Sequence, residues 1–96
     1  MRVLVVGSGG VGAAVAAVAH RRDFFERMVF ADVEQDRARR AIAPHGDDRF
    51  AAAAVDASDA ASVAQLARAE RADAILNAVD PRFNPPIFQA AVWSMR

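Results

Sequence analysis

The sequence predicts an α/β fold in which four parallel strands, in the order 3-2-1-4, form a sheet with helices on both faces. Two observations lead to this prediction. Short apolar segments that are typical of buried strands alternate along the chain with segments of helical periodicity. The connections are short, and strands joined through helices pair in parallel with right-handed crossovers. With 96 residues, the chain is expected to form a single domain over residues 1–96.

Four segments are predicted to form the strands. Arg2–Val6 is a continuous apolar run rich in valine, as expected of a strand that is buried on both faces. The second and third strands are predicted at residues 28–31 and 50–55, and the alanines of the third make its strand signal the weakest. The fourth is predicted at residues 74–76 and is expected to continue through residues 77–79.

The first helix is predicted at residues 11–22. Its valines at positions 11, 15 and 18 are spaced i, i+4 and i+7, which predicts that they form the buried face. Residues 20–22 then place cations in the last turn, where the helix dipole favours them.

Three further helices are predicted. The second covers residues 35–43. The third is capped by Ser58 or Asp59 and continues through Arg71. The last runs from Ile87 and follows Asn84-Pro85-Pro86, which has the pattern of an N-cap followed by proline in the first turn.

Composition and charge exclude several kinds of site. Twelve arginines balance twelve acidic residues and lysine is absent, so no basic excess is available for a nucleic-acid partner. The absence of cysteine excludes disulfides, thiolate nucleophiles and sulfur-ligated metals. No apolar run is long enough for a membrane span, and a cytoplasmic location is expected. His20 and His45 have no partner spaced for a catalytic triad or a metal site, so both are predicted to be surface residues.

The most informative segment lies between the first strand and the first helix and has the pattern G-x-G-x-x-G. It comprises Gly7, Ser8, Gly9, Gly10, Val11 and Gly12. In this pattern the first glycine permits a tight turn, the second lets backbone N–H groups approach a pyrophosphate, and the third lets the helix pack closely on the strand. The helix N-terminus adds partial positive charge. The segment therefore predicts a dinucleotide site on a Rossmann-like sheet that has four of the six strands of a complete domain. A plain strand-to-helix turn is the alternative.

Asp32 ends the second predicted strand, twenty residues after Gly12. A carboxylate at this position accepts hydrogen bonds from the adenosine ribose and repels a 2′-phosphate, which favours NAD over NADP. The alternative is that Asp32 caps the next helix, and the two roles are compatible. Arginines at positions 37, 39 and 40 could meet a 2′-phosphate, but ion pairs with Glu34 and Asp36 on the helix surface are favoured.

Two further polar positions follow the third and fourth strands. Ligands of open α/β sheets bind at the carboxyl ends of the strands. Asp56, followed by Ala57, could therefore accept a hydrogen bond from the adenine amino group, and Asn77, followed by Ala78, could contact the central part of a cofactor. Ordinary turn or cap chemistry is an equal alternative for both.

Several segments together resemble the amino-terminal domain of saccharopine dehydrogenase-like proteins, as far as about Ala91. These are the glycine segment and residues 31–32, 55–59, 76–81 and 86–87, of which Asn77-Ala78-Val79-Asp80-Pro81 is the most specific. The resemblance implies a domain that binds NAD or NADP for oxidoreductases acting on amino-acid-derived secondary amines.

The resemblance also implies a role for each matching residue. Those implied to face the pyrophosphate are Gly7, Gly9, Gly10 and Gly12, within a loop that also contains Ser8 and Val11. Asp32 would face the ribose, Asp56 and Ala57 the adenine side, and Asn77 and Ala78 the ribose further along.

The chain departs from this family in its length. Family members are several times longer, and most of their substrate-binding and proton-transfer residues lie in a second domain. No catalytic residue is identified here, so a shortened cofactor domain without activity of its own is expected. The alternatives are a regulatory nucleotide-binding module, similar to the cytoplasmic domains that gate potassium transport, and a fold that binds no ligand.

The predicted fourth strand has an open outer edge. Its unpaired backbone groups would lie beside the apolar last helix, whose residues include Ile87, Phe88, Val92 and Trp93. An open edge next to an apolar patch favours association with a second copy. We therefore expect a homo-oligomer, most simply a two-fold dimer.

Overall fold

The computed structural model of the chain describes residues 1–7 and 10–77. Strands and helices alternate within this part of the chain. In order they are β1 (Arg2–Val6), α1 (Gly10–Ala19), β2 (Arg27–Asp32), α2 (Gln35–Ile42), a 3₁₀ turn (Ala43–His45), β3 (Phe50–Ala54), α3 (Ala60–Ala69) and β4 (Ala74–Asn77).

The four strands form a parallel sheet in the order β3-β2-β1-β4, which confirms the predicted topology. The register places Val6 of β1 opposite Ala31 of β2 and opposite Asn77 of β4. Asp32 lies opposite Ala54 of β3. All four carboxyl ends therefore lie along one edge of the sheet.

Alternate side chains of β1 divide the core between the two faces of the sheet. Val3 and Val5 belong to one buried cluster, together with alanines of α1 and α2. Leu4 and Val6 belong to the other, against which residues of α3 pack. Right-handed crossovers explain this division, because β1, β2 and β3 are added in one direction and the connection to β4 returns across the sheet. The predicted placement of helices on both faces is confirmed.

The first helix differs from the prediction in its C-terminus and in its buried face. It ends at Ala19, so residues 20–22 follow it rather than occupying its last turn. Val18 is 59% exposed, whereas Ala16 and Ala19 are buried in the core. Gly12 is buried as well, and positions 12, 16 and 19 share the spacing i, i+4 and i+7. The prediction was therefore wrong for Val18, whereas Val15 packs against the core as predicted. The helix uses its smaller residues to approach the sheet closely.

The other elements end close to their predicted bounds. Residues 43–45 form the 3₁₀ turn rather than the end of α2. Asp59, and not Ser58, is the N-cap of α3, since its Oδ1 accepts hydrogen bonds from the N–H groups of Ala61 and Ser62 at 3.1 and 3.3 Å. The helix ends before Arg71, which has a positive φ of 54° and so cannot continue it.

Two predicted elements lie outside the described residues, namely the continuation of β4 through residues 78–79 and the last helix from Ile87. Within residues 1–7 and 10–77, no helix is long and apolar enough to cross a membrane.

Candidate functional site

The turn after β1 has the geometry that the glycine pattern predicts. Gly7 directly follows the strand, is buried, and has a φ of 91°, in the left-handed region that favours glycine. Its N–H donates a hydrogen bond of 2.6 Å to the carbonyl oxygen of Ala31, which joins the turn to the end of β2. Because α1 begins at Gly10, its free N–H groups and partial positive charge also lie at this edge.

The structure describes some of the other positions of the glycine segment. The backbone of Gly10 and Val11 lies in the first turn of α1, and Gly12 follows on its buried side. Ser8 and Gly9 lie outside the described residues.

Asp32 is the last residue of β2, and its side chain is only 8% exposed. Its Oδ1 accepts a hydrogen bond of 3.1 Å from the N–H of Glu34 and lies 3.7 Å from Nη1 of Arg37. Glu34 is the N-cap residue of α2, so the alternative in which Asp32 caps that helix is wrong. The carboxylate instead closes the turn between β2 and α2 and is held at the sheet edge.

Arg37 and Arg39 of α2 make the expected ion pairs, and Arg37 makes one further contact. Arg39 pairs with Asp36 at 2.9 Å, and Nη2 of Arg37 lies 3.4 Å from a carboxylate oxygen of Glu34. The contact between Arg37 and Asp32 was not predicted. It places a partly exposed cation beside the acidic group that would face the ribose.

Asp56 lies two residues beyond the end of β3 and is exposed. Its Oδ1 accepts two hydrogen bonds from Ser58, one of 2.6 Å from the hydroxyl and one of 2.9 Å from the backbone N–H. These bonds, the hydroxyl's first, lower the pKa of the Asp56 carboxyl from its ordinary value. The group is therefore an ionised hydrogen-bond acceptor at neutral pH. Ala57 is exposed within the same turn.

A cavity of about 540 Å³ adjoins Asp56, between the end of β3 and α3. Its apolar lining includes Val33, which directly follows Asp32, and Leu66 of α3. Asp56 and Gln65 contribute polar groups. Sequence reasoning missed the contribution of α3, although its stripe at positions 62, 65, 66 and 69 has the spacing of one helix face.

Asn77 ends β4 opposite Val6, so its backbone lies at the same edge as the turn that follows β1. Ala78 lies outside the described residues. The structure thus brings the predicted positions Gly7, Asp32 and Asp56 and the backbone of Asn77 to the carboxyl edge of one sheet.

A second polar cluster, at the opposite edge of the sheet, was not predicted. Nδ1 of His20 lies 3.2 Å from Oδ2 of Asp47, and its ring lies 5.0 Å from the ring of His45. The guanidinium of Arg49 donates to both carboxylate oxygens of Asp47 at 2.9 and 2.7 Å and lies 4.1 Å from the centre of the Phe25 ring. Among the described residues, no three acidic or histidine side chains are grouped to hold a metal ion.

Comparisons with known proteins agree with this architecture. A family model described as the saccharopine dehydrogenase NADP binding domain matches residues 3–94. A similar solved structure is apo histidine-tagged saccharopine dehydrogenase (L-Glu forming) from Saccharomyces cerevisiae. It has a TM-score of 0.68 and 19% sequence identity, over 97% of this chain and 20% of that chain. At this identity the likeness shows a shared fold, and this chain spans about one fifth of the other's length. No curated protein matches in sequence.

Proposed function

Because this chain belongs to the saccharopine dehydrogenase NADP-binding domain family, we propose that its dinucleotide cofactor lies across the carboxyl edge of the sheet. The pyrophosphate lies on the glycine turn and the N-terminus of α1, with Gly7, Ser8, Gly9, Gly10, Val11 and Gly12 around it. The adenosine ribose lies at Asp32, and the adenine lies near Asp56 and Ala57. Asn77 and Ala78 face the ribose further along.

The adjacency of Gly7 and Asp32 is the observation that carries this proposal. The N–H of Gly7 bonds to the carbonyl oxygen of Ala31, the residue before Asp32. A pyrophosphate on the glycine turn therefore has its adenosine ribose within reach of a carboxylate that is nearly buried and held in place. An extended dinucleotide needs both groups at neighbouring strand ends.

Titration of the chain with NADH, followed by nicotinamide fluorescence, tests this placement. Saturable binding is expected for the unmodified chain. Gly9→Val should weaken binding strongly, because in the motif a side chain at this position occupies the place of the pyrophosphate. Gly46→Asn is the matched control. Gly46 has a φ of 55° far from the glycine turn, a conformation that asparagine tolerates, and binding should persist.

Two results would overturn the proposal. One is the absence of saturable binding to the folded, unmodified chain. The other is equal affinity of the unmodified chain and Gly9→Val for NADH.

We further propose that this chain prefers NAD to NADP, although the family model is named for NADP. The support is electrostatic. The Asp32 carboxylate would lie against the 2′-phosphate of NADP, and Arg37 at 3.7 Å neutralises it only in part because that guanidinium also lies beside Glu34.

We also propose that the domain serves an oxidoreductase whose substrate-binding residues lie elsewhere. The chain spans 20% of the similar saccharopine dehydrogenase, and its sequence offers no identifiable catalytic residue. The chain should therefore bind NADH without oxidising it when amino-acid-derived imines are added. Loss of the absorbance of NADH in that assay would contradict this part of the proposal.

A further inference from the structure

We propose that Ser58 is a positioning residue, which fixes the Asp56 carboxylate so that the site selects adenine over 6-oxopurines. The inference rests on the proposed function, in which the adenine of the cofactor lies beyond the end of β3. An ionised carboxylate can only accept hydrogen bonds. Adenine presents a donating amino group at its 6-position, whereas hypoxanthine and guanine present an accepting oxygen there and have their nearest donor at N1. A 6-oxopurine bound in the orientation of adenine therefore loses the hydrogen bond to the carboxylate.

The hydrogen bonds of Asp56 leave one of its two carboxylate oxygens available. Both bonds from Ser58 end on Oδ1, at 2.6 and 2.9 Å. Within the described residues, Oδ2 accepts no hydrogen bond. The short bond from the hydroxyl is charge-assisted and resists rotation of the carboxylate. Asp56 therefore offers an oriented acceptor for one further donor.

The adjoining cavity has the size and the lining for a purine. Its volume of about 540 Å³ lies within the range of roughly 300–1,000 Å³ that is usual for small-molecule sites. Val33 and Leu66 supply apolar surface for the faces of a planar ring, and Asp56 supplies the polar edge. Val33 is 68% exposed, which a side chain placed only for the core would not be.

The other polar side chains that line the cavity, those of Ser62 and Gln65, cannot make this choice. The hydroxyl of Ser62 both donates and accepts. The amide of Gln65 both donates and accepts, so by turning over it can satisfy a 6-amino or a 6-oxo group. Discrimination between the two groups therefore depends on Asp56.

The hydroxyl of Ser58 also favours the ionised form of Asp56, the form that discriminates. It is the largest cause of the lowered pKa of the Asp56 carboxyl. A protonated carboxyl could instead donate to a 6-oxo group and would accept both purines.

Binding of two fluorescent cofactors tests the inference, namely NADH and reduced nicotinamide hypoxanthine dinucleotide. For the unmodified chain, the Kd of the hypoxanthine compound should exceed that of NADH by about tenfold, the effect of one charge-assisted hydrogen bond at a partly exposed site. Ser58→Ala should reduce this ratio to about threefold, and Ser58→Thr, which keeps the hydroxyl, should restore it. Thermal unfolding of each variant checks the fold.

The outcomes separate this inference from the proposed function. Suppose that NADH binds the unmodified chain and that Gly9→Val weakens this binding, but that the unmodified chain binds the two cofactors equally. The cofactor site then stands and the inference is overturned. If Ser58→Ala keeps the full ratio, or Ser58→Thr does not restore it, the positioning role of Ser58 is overturned. If neither cofactor binds, the proposed function fails and the inference fails with it.

Discussion

Replacing Asp32 by serine should remove most of the discrimination between NADH and NADPH. A 2′-phosphate attached to a ribose at Asp32 would lie about 5 Å from the carboxylate and would carry a charge of about −1.5. At an effective dielectric constant of about 60, the repulsion is about 1–2 kcal/mol. This corresponds to a ratio of dissociation constants between about five and thirty.

The contacts of Asp32 place the expected ratio within this range. Burial of its side chain, which is 8% exposed, weakens solvent screening and raises the repulsion. Arg37 acts in the opposite direction, because its Nη1 lies 3.7 Å from Oδ1 of Asp32 and would attract the phosphate. We expect a ratio of about ten for the unmodified chain and about one to two for Asp32→Ser. Arg37→Gln should raise the ratio, since it removes the attractive charge and keeps Asp32.

Fluorescence titration with NADH and with NADPH measures both dissociation constants. Asp36→Ser is the matched control, because Asp36 also lies near the start of α2 but is exposed and pairs with Arg39. It should leave the ratio unchanged. The reasoning is refuted if the unmodified chain prefers NADPH, or if Asp32→Ser and Asp36→Ser give the same ratio as the unmodified chain.

Three other predictions concern stability and assembly. Asp47→Asn should lower the Tm measured by circular dichroism, because bonds from Arg49 and then from His20 hold the pKa of the Asp47 carboxyl well below its ordinary value of 3.8. The stabilisation from such a lowered pKa is present above the ordinary pKa of 3.8 and is lost as the pH falls below it, so the difference in Tm between Asp47→Asn and the unmodified chain should shrink between about pH 5 and pH 2. A difference in Tm that stays constant over this range would contradict the prediction. Asp59→Ala should lower the Tm through loss of the N-cap of α3. Asp59→Asn keeps a side-chain acceptor and should retain most of the stabilisation that the N-cap provides. Light scattering at micromolar concentration should show a dimer, because within the described residues β4 pairs only with β1, and a monomer at all concentrations would end this prediction. A cytoplasmic location and a single domain over residues 1–96 stay predictions from the sequence.

The strand order could be predicted from the sequence because each strand is bounded by strong local signals. β1 is a continuous apolar run that stops at Gly7, and the remaining topology follows from the handedness of the crossovers. The buried face of α1 could not be predicted in the same way. In a helix made almost entirely of alanine, glycine and valine, adjacent faces are equally apolar, and close packing against the sheet selects the smaller side chains.

The positions of the candidate site could be predicted, but most of its contacts could not. Gly7, Asp32 and Asp56 each follow a strand in the sequence, and a parallel sheet necessarily gathers such residues at one edge. The contact of Arg37 with Asp32 and the bonding of Asp56 to Ser58 depend on side-chain rotamers that periodicity does not determine. The cavity needs α3 to lie beside the end of β3, which is a consequence of tertiary packing.

The two edges of the sheet use polar side chains differently, and this difference separates binding from stability. At the carboxyl edge, the side chain of Asp56 bonds, within the described residues, only to Ser58, two positions away, and keeps acceptor capacity. At the opposite edge, Asp73 bonds to the backbone of Arg2 across 71 positions, and Glu70 bonds to Arg27 across 43. Those bonds connect the segment between α3 and β4 to the beginnings of β1 and β2, so breaking them would loosen the fold. The long-range bonds of Asp73 and Glu70 therefore hold the sheet and helices in register, while the acceptor that Asp56 keeps lies where a ligand can use it.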